Sequence, residues 1–230
     1  MRPRQRTLLH SKQNYRSPHG DCLTSLAGES VLPHESSGSA SEPSPGPPVL
    51  EDLIALFFED AQQLGEVQEC EADQMPWRYA DLLAHDGHMT ETVEKLFDGP
   101  VDVRVLDRRF DQPFYSREIT LHRKEDGQIV QYGIVRLDVT FLDDDVCEEI
   151  LAETTPLGRV LIEHNVMREV QLSALWDIRV GSRLAEVFQC SVGTRTFGRT
   201  AMIYLDGEPV IELLEIIVPH TVRIDFGASA

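Results

Sequence analysis

The sequence predicts an α+β domain in which an antiparallel β-sheet is flanked by helices. Three observations carry this expectation. Between residues 50 and 97 apolar side chains recur at helical spacing, and after residue 100 the period falls to two. The period-two segments are joined by short Asp-Gly turns, which link antiparallel neighbours. Helices gathered ahead of hairpin-linked strands read as α+β rather than as alternating α/β.

The elements follow in order. Residues 1–48 hold seven of the thirteen prolines, among many Ser and Gly, and cannot bury a core, so 1–47 is expected to be a disordered tail and 48–230 the domain. VLEDLIALFFEDAQQL carries a helical stripe at Leu50, Leu53, Ile54, Phe57 and Leu64. PWRYADLL reads as a short helix broken at Asp86-Gly87, and Thr90 as the cap of another that runs through Val93, Leu96 and Phe97 to Gly99-Pro100. Val101, Val103 and Val105 open the strands. FYSREITLHR, the turn EDGQ and QIVQYGIVRLDVTFL form a hairpin. DDDVCEEILAE is a short helix with acids at its N-terminal end, where they cap and oppose the helix dipole. TPLGRVL reads as a turn, HNVMREVQLSALWDI as extended, SRLAEVFQC as helical, and FGRTAMIYL with PVIELLEIIVP as a second hairpin around LDGE.

Composition narrows the functions. A net charge of −18 disfavours nucleic acid and anionic membrane as partners. No apolar stretch is long enough to span a bilayer, and no secretory signal is evident. Cys22, Cys70, Cys147 and Cys190 form no CxxC pair and are expected to be free thiols in a reducing, cytoplasmic compartment. A monomer is expected. Of 21 basic residues only Lys12, Lys95 and Lys124 are lysine, and guanidinium forks suit carboxylates, although genomic base composition produces the same bias.

Strand alternation exposes charges in apolar rows. Arg117 shares a row with Tyr115, Ile119 and Leu121, and Arg136 one with Tyr132, Ile134 and Asp138. Glu212 and Glu215 fall in different rows of PVIELLEIIVP, both apolar, so alternation does not choose between them. Such residues are either ion pairs of the core or the lining of an anion pocket. His85 and His88 stand three apart, but Gly87 breaks their helix and a third metal ligand is missing, so no metal site is expected. Trp77 and Trp176 are expected in the core.

Five segments, in order over residues 76–219, resemble the chorismate pyruvate-lyase family: PWRYADLLAHDGHMTETVE, YSREITL, TPLGRVL, NVMRE and FGRTAMIYLDGEPVIELLEIIVP. The resemblance implies an antiparallel sheet enclosing a ligand pocket, and a cofactor-independent lyase that eliminates pyruvate from chorismate to leave 4-hydroxybenzoate. By motif position it assigns Arg117 to a substrate carboxylate and Arg136 to catalysis as the second arginine. Leu157 and Gly158 fall beside the ring. Glu215 becomes the catalytic carboxylate near the ring hydroxyl, which selects it over Glu212. Aromatisation drives such a reaction, so no cofactor is expected. RLDVTF lacks the family's proline, and GRT keeps only Arg199 of an arginine pair. Two alternatives stand beside the lyase: a non-catalytic domain of the same fold that binds a small aromatic or sugar acid, and a structural protein with buried ion pairs.

Overall fold

Strand pairing organises the chain around one sheet. The computed structural model describes residues 46–219, so all but the last two residues of the expected tail lie outside the described residues. Helices α1 (Leu50–Ala55), α2 (Trp77–Leu83), α3 (Met89–Phe97), α4 (Asp144–Leu151), α5 (Leu157–Glu163) and α6 (Ser182–Phe188) accompany strands β1 (Gly65–Cys70), β2 (Val101–Asp111), β3 (Phe114–Arg123), β4 (Ile129–Asp138), β5 (Arg168–Val180), β6 (Arg195–Leu205) and β7 (Glu208–Ile217). The sheet order is β1-β5-β6-β7-β4-β3-β2, with every neighbouring pair antiparallel. The α+β class expected from the sequence is the class observed.

Central strand β7 shows how the pleat divides the core. One face, here the back, carries Leu214 and Ile216, which pack with Ile134, Tyr132 and Ile178 against Leu50, Leu53 and Ile54 of α1 and Leu184 and Phe188 of α6. The front carries Ile211, Leu213 and Ile217. At one end of the front, α4 and α5 bury Ile150, Val160 and Leu161 against Leu137, Ile203 and Ile211. At the other, α2 and α3 bury Tyr79, Leu83 and Val93 against Leu121, Phe197 and Ile217. Both edge strands, β1 and the outer half of β2, are largely exposed.

Local chemistry explains most boundaries. Asp206 and Gly207 both have positive φ, the two-residue turn that an antiparallel hairpin needs between Leu205 and Glu208. Asp144 and Asp145 occupy the first turn of α4, where the dipole favours negative charge. β4 stops at Asp138, earlier than expected, because its carboxylate accepts from the Thr140 N–H at 2.9 Å and turns the chain into a 3-10 turn. TPLGRVL is not a turn: after Pro156, Leu157, Val160 and Leu161 give α5 a buried stripe at i, i+3 and i+4. Cys147 is disulfide-bonded, contrary to the expected free thiol, whereas Cys70 and Cys190 are free. No helix among the described residues is long and apolar enough to cross a membrane.

Candidate functional site

The two front-face clusters leave a seam, and the seam holds a narrow, largely enclosed chamber of about 40 Å³. Its floor is the sheet: Gln131 and Val135 of β4, Leu213 and Glu215 of β7, Arg199 and Ile203 of β6. Ile119 and Leu121 of β3 form a side. The roof is His88, Met89 and Thr90 at the start of α3, together with Pro156, Leu157 and Gly158 at the start of α5. A Cβ on Gly158 would lie 3.0 Å from Thr90 Oγ1 and 3.5 Å from His88 Nδ1, so glycine is what lets the two roof helices meet this closely.

The charged floor is already paired. Glu215 stands opposite Arg199 on one side and Gly133 on the other. Arg199, fully buried, donates from Nε to Glu215 Oε2 at 2.7 Å. Its remaining nitrogens tie the floor to the roof loop, Nη1 donating to His85 O at 2.7 Å and Nη2 to Gly87 O at 2.9 Å. Gln131 Nε2 donates to the other Glu215 oxygen at 3.3 Å. An ionised carboxylate only accepts, so the amide nitrogen must face it, and Gln131 Oε1 is left buried without a partner among the described residues.

The roof histidines are held neutral. Burial, then the charge of Arg199, push His85 below its ordinary pKa. Its Nδ1 accepts from the Gly87 N–H at 3.0 Å, and its Nε2 meets Leu82 O at 2.9 Å. Burial, then Arg168 and Arg199, lower His88 to about 4. Arg168 Nε donates to His88 Nε2 at 2.7 Å, which places the ring proton on Nδ1. The two histidines therefore serve different arginines rather than a shared ion. Outside the chamber, a groove of about 480 Å³ is bordered by Asp86, Arg168, Glu169 and Gln171, and shares His88 and Val170 with it.

The structure brings Glu215, Leu157 and Gly158 together at the chamber. It does not bring Arg136 there. Arg136 stands opposite Glu212 across the β4–β7 ladder, on the back face, and donates to both carboxylate oxygens, Nη2 to Oε1 at 2.8 Å. Burial opposes its charge, but the hydrogen bond and charge of Glu212 outweigh that and hold its pKa above the ordinary value. The shared hollow expected for Arg117, Arg136 and Glu215 is thus not found: residues 133 and 136 on one strand point to opposite faces.

Arg117 lies on the front face, paired across the ladder with chamber-lining Val135 and two residues from chamber-lining Ile119, but does not itself line the chamber. It is fully buried under α4. Among the described residues only Nη1 finds an acceptor, Ile150 O at 3.4 Å; Nε and Nη2 have none. Among the described residues no carboxylate reaches ion-pair distance. Burial lowers its pKa, against the opposing influence of Tyr115 and Glu153. Glu153 is committed to Tyr115 Oη at 2.5 Å and Arg108 Nη1 at 3.1 Å.

Sequence reasoning passed over Arg199, Gln131, His88 and Thr90 as chamber residues. Arg199 carried the same signal as Arg117, an arginine in the apolar row Phe197, Ala201, Ile203. Trp77, expected in the core, is 69% exposed with the Arg78 guanidinium 5.4 Å over its ring, and Trp176 is half-buried with Nε1 donating to Thr200 Oγ1 at 3.2 Å.

No family model matches the chain, and no curated protein matches it. Among solved structures it is similar to PhnF from Mycobacterium smegmatis (13% identity, TM-score 0.46, covering 60% of this chain and 66% of that one). It is similar to the effector domain of the same protein (13%, TM-score 0.45, covering 58% and 89%). The C-terminal domain of the histidine utilization repressor from Pseudomonas syringae pv. tomato gives 10% identity and a TM-score of 0.39, covering 56% of this chain and 99% of that one. At these identities and TM-scores the likenesses carry no information about ligand or activity.

Proposed function

We propose that this domain binds a small carboxylic acid with an apolar body and does not transform it. The observation that carries the reading is Arg117: a fully buried guanidinium, two of whose nitrogens have no partner among the described residues, paired across the ladder with chamber-lining Val135. Burying an unpaired cation costs several kcal/mol, about as much as breaking a buried ion pair. An anion arriving at Nε and Nη2 in a bidentate fork offsets that cost. The chamber's own lining is largely apolar, with Gln131 Oε1 as an acceptor for a ligand hydroxyl or a water.

The same geometry favours binding over elimination. A lyase needs a carboxylate free to take a proton or hold a hydroxyl, and a cation beside the departing oxygen. Here both Glu215 oxygens are engaged, every Arg199 nitrogen is committed, and Arg136 is on the other side of the sheet. Ligand pockets typically measure roughly 300–1,000 Å³, so the chamber of about 40 Å³ must widen to take a ligand. The lyase acting on chorismate remains the second reading, favoured by Glu215 standing beneath Leu157 and Gly158 in one chamber.

One pair of measurements decides between them. Purified protein is incubated with chorismate while pyruvate is followed, and its thermal unfolding is measured with a panel of small aromatic and aliphatic acids. The binding reading expects pyruvate at the spontaneous rate and a raised Tm with one or more acids. Turnover above that rate establishes the lyase, and neither effect leaves a structural protein.

A further inference from the structure

We infer that the chamber is entered from the neighbouring open groove, with the His88 side chain as the door and Arg168 as its latch. This rests on the chamber being the ligand site, as proposed above. A narrow, largely enclosed chamber of about 40 Å³ abuts a groove of about 480 Å³, and the residues common to both are His88 and Val170. The partition between them is therefore those two side chains. Val170 is packed in place: it is buried, belongs to the α4–α5 core cluster, and is paired with Ile203 of β6.

His88 is built differently. It occupies the position before the first residue of α3, with extended backbone, and its side chain makes no capping bond, so the helix does not depend on where the ring points. Its backbone is pinned, the carbonyl accepting from Thr92 N and Thr92 Oγ1, both at 3.1 Å. A fixed backbone with a half-buried ring is a hinge with a leaf. One hydrogen bond holds that leaf shut, from Arg168 Nε to His88 Nε2 at 2.7 Å. Arg168 is a rigid post, since its Nη1 also donates to Leu161 O at 3.2 Å and Val166 O at 2.9 Å. Rotation of the ring into the groove breaks that one bond, merges groove with chamber, and leaves Arg168 Nε facing whatever enters. One oxygen of each groove acid is engaged elsewhere: Asp86 accepts from Leu172 N at 2.8 Å and Glu169 from Gln171 Nε2 at 3.0 Å.

The test needs no ligand, so its outcome is separable from that of the small-acid reading. A thiol is placed on the chamber floor by Leu213→Cys in the full chain. Its modification by a small methanethiosulfonate reagent is timed by peptide mass spectrometry, with Cys70 and Cys190 as references in the same molecule. Adding His88→Ala is expected to speed modification at position 213 by about tenfold, the weight of one charge-assisted hydrogen bond. Arg168→Met, which keeps the ring but removes the latch, is expected to speed it too, and serves alone if the alanine variant does not fold. The reference thiols keep their rates in both. Unchanged rates at position 213, or equal acceleration at all three thiols, overturn the door. In either case acid binding by the unmodified protein still stands or falls on the thermal panel.

Discussion

Two arginine–glutamate pairs stand on opposite faces of strand β7, and their fates differ. On the back, Arg136 and Glu212 face each other across β4 and β7, near the rim of the α1 packing, with both side chains 11% exposed. On the front, Arg199 and Glu215 face each other across β6 and β7, and Arg199 is fully buried. The back pair is self-sufficient, each fork matched to the other. In the front pair Arg199 gives Glu215 a single nitrogen and spends the others on the roof-loop carbonyls, while Gln131 takes the second carboxylate oxygen. The same residue types three positions apart on one strand therefore make a strut on one face and the floor of a chamber on the other. What differs is the cover: helices packed flush behind, and a loop bridging two core clusters in front.

Removing Arg199 is expected to give the largest effect. Arg199→Met leaves Glu215 buried and unpaired and frees two roof carbonyls, a loss of about 3–5 kcal/mol on the scale of broken buried pairs. Urea unfolding measures it. A loss smaller than that of Arg136→Met would break the asymmetry between the faces.

Arg117→Met is expected to have the opposite sign. It replaces a buried cation that no described carboxylate reaches at ion-pair distance by an apolar chain of similar volume, and is expected to be neutral or to stabilise by up to about 1–4 kcal/mol, the range for replacing buried ionic groups by apolar ones. The same change is expected to abolish the thermal shift given by small acids. A variant that is both less stable and still able to bind acids would show that the guanidinium is a core strut like Arg136. Next in size, Glu212→Gln is expected to cost about 1–3 kcal/mol by weakening a charge-assisted fork. Acid binding should stay within about twofold of wild type, because Glu212 and the chamber are separated by the sheet. Calorimetric titration with whichever acid shifts the Tm most checks this, and a large loss of affinity would mean that the faces communicate.

Much of this architecture was legible in the chain. The hairpins were, because alternation and Asp206-Gly207 specify both strand and turn. β1 was not: GEVQEC is short, exposed and at an edge, so no apolar rhythm marks it. α5 was hidden by the Pro and Gly at its start, although Leu157, Val160 and Leu161 had helical spacing. In the site, alternation had already put Arg136 in the row of Tyr132 and Ile134 rather than that of Gly133 and Val135. The resemblance grouped it with Glu215 all the same, and only the β4–β7 register shows Glu212 as its partner. Gln131 was invisible for a different reason. An amide acquires an orphan acceptor only once Glu215, 84 residues away, has claimed its donor.

The smallest expected effect is a pH dependence confined to the front face. Folded His88 has its pKa lowered to about 4 by burial and by Arg168 and Arg199, whereas the unfolded chain titrates near ~6.5. Above ~6.5 both forms are neutral and His88 adds no slope. As pH falls from there toward 4 the unfolded chain takes the proton first, so stability declines through that window and levels off below it. The ring is only half-buried, and solvent screening reduces the loss to on the order of 1 kcal/mol. His88→Gln keeps a side-chain acceptor for Arg168 but cannot titrate, so urea unfolding between pH 7 and 4 should show a shallower decline for the variant. Parallel curves would mean that the ring takes its proton as easily folded as unfolded. Arg168 would then be too loosely held to keep it neutral, and the front face would owe its closure to Arg199 alone.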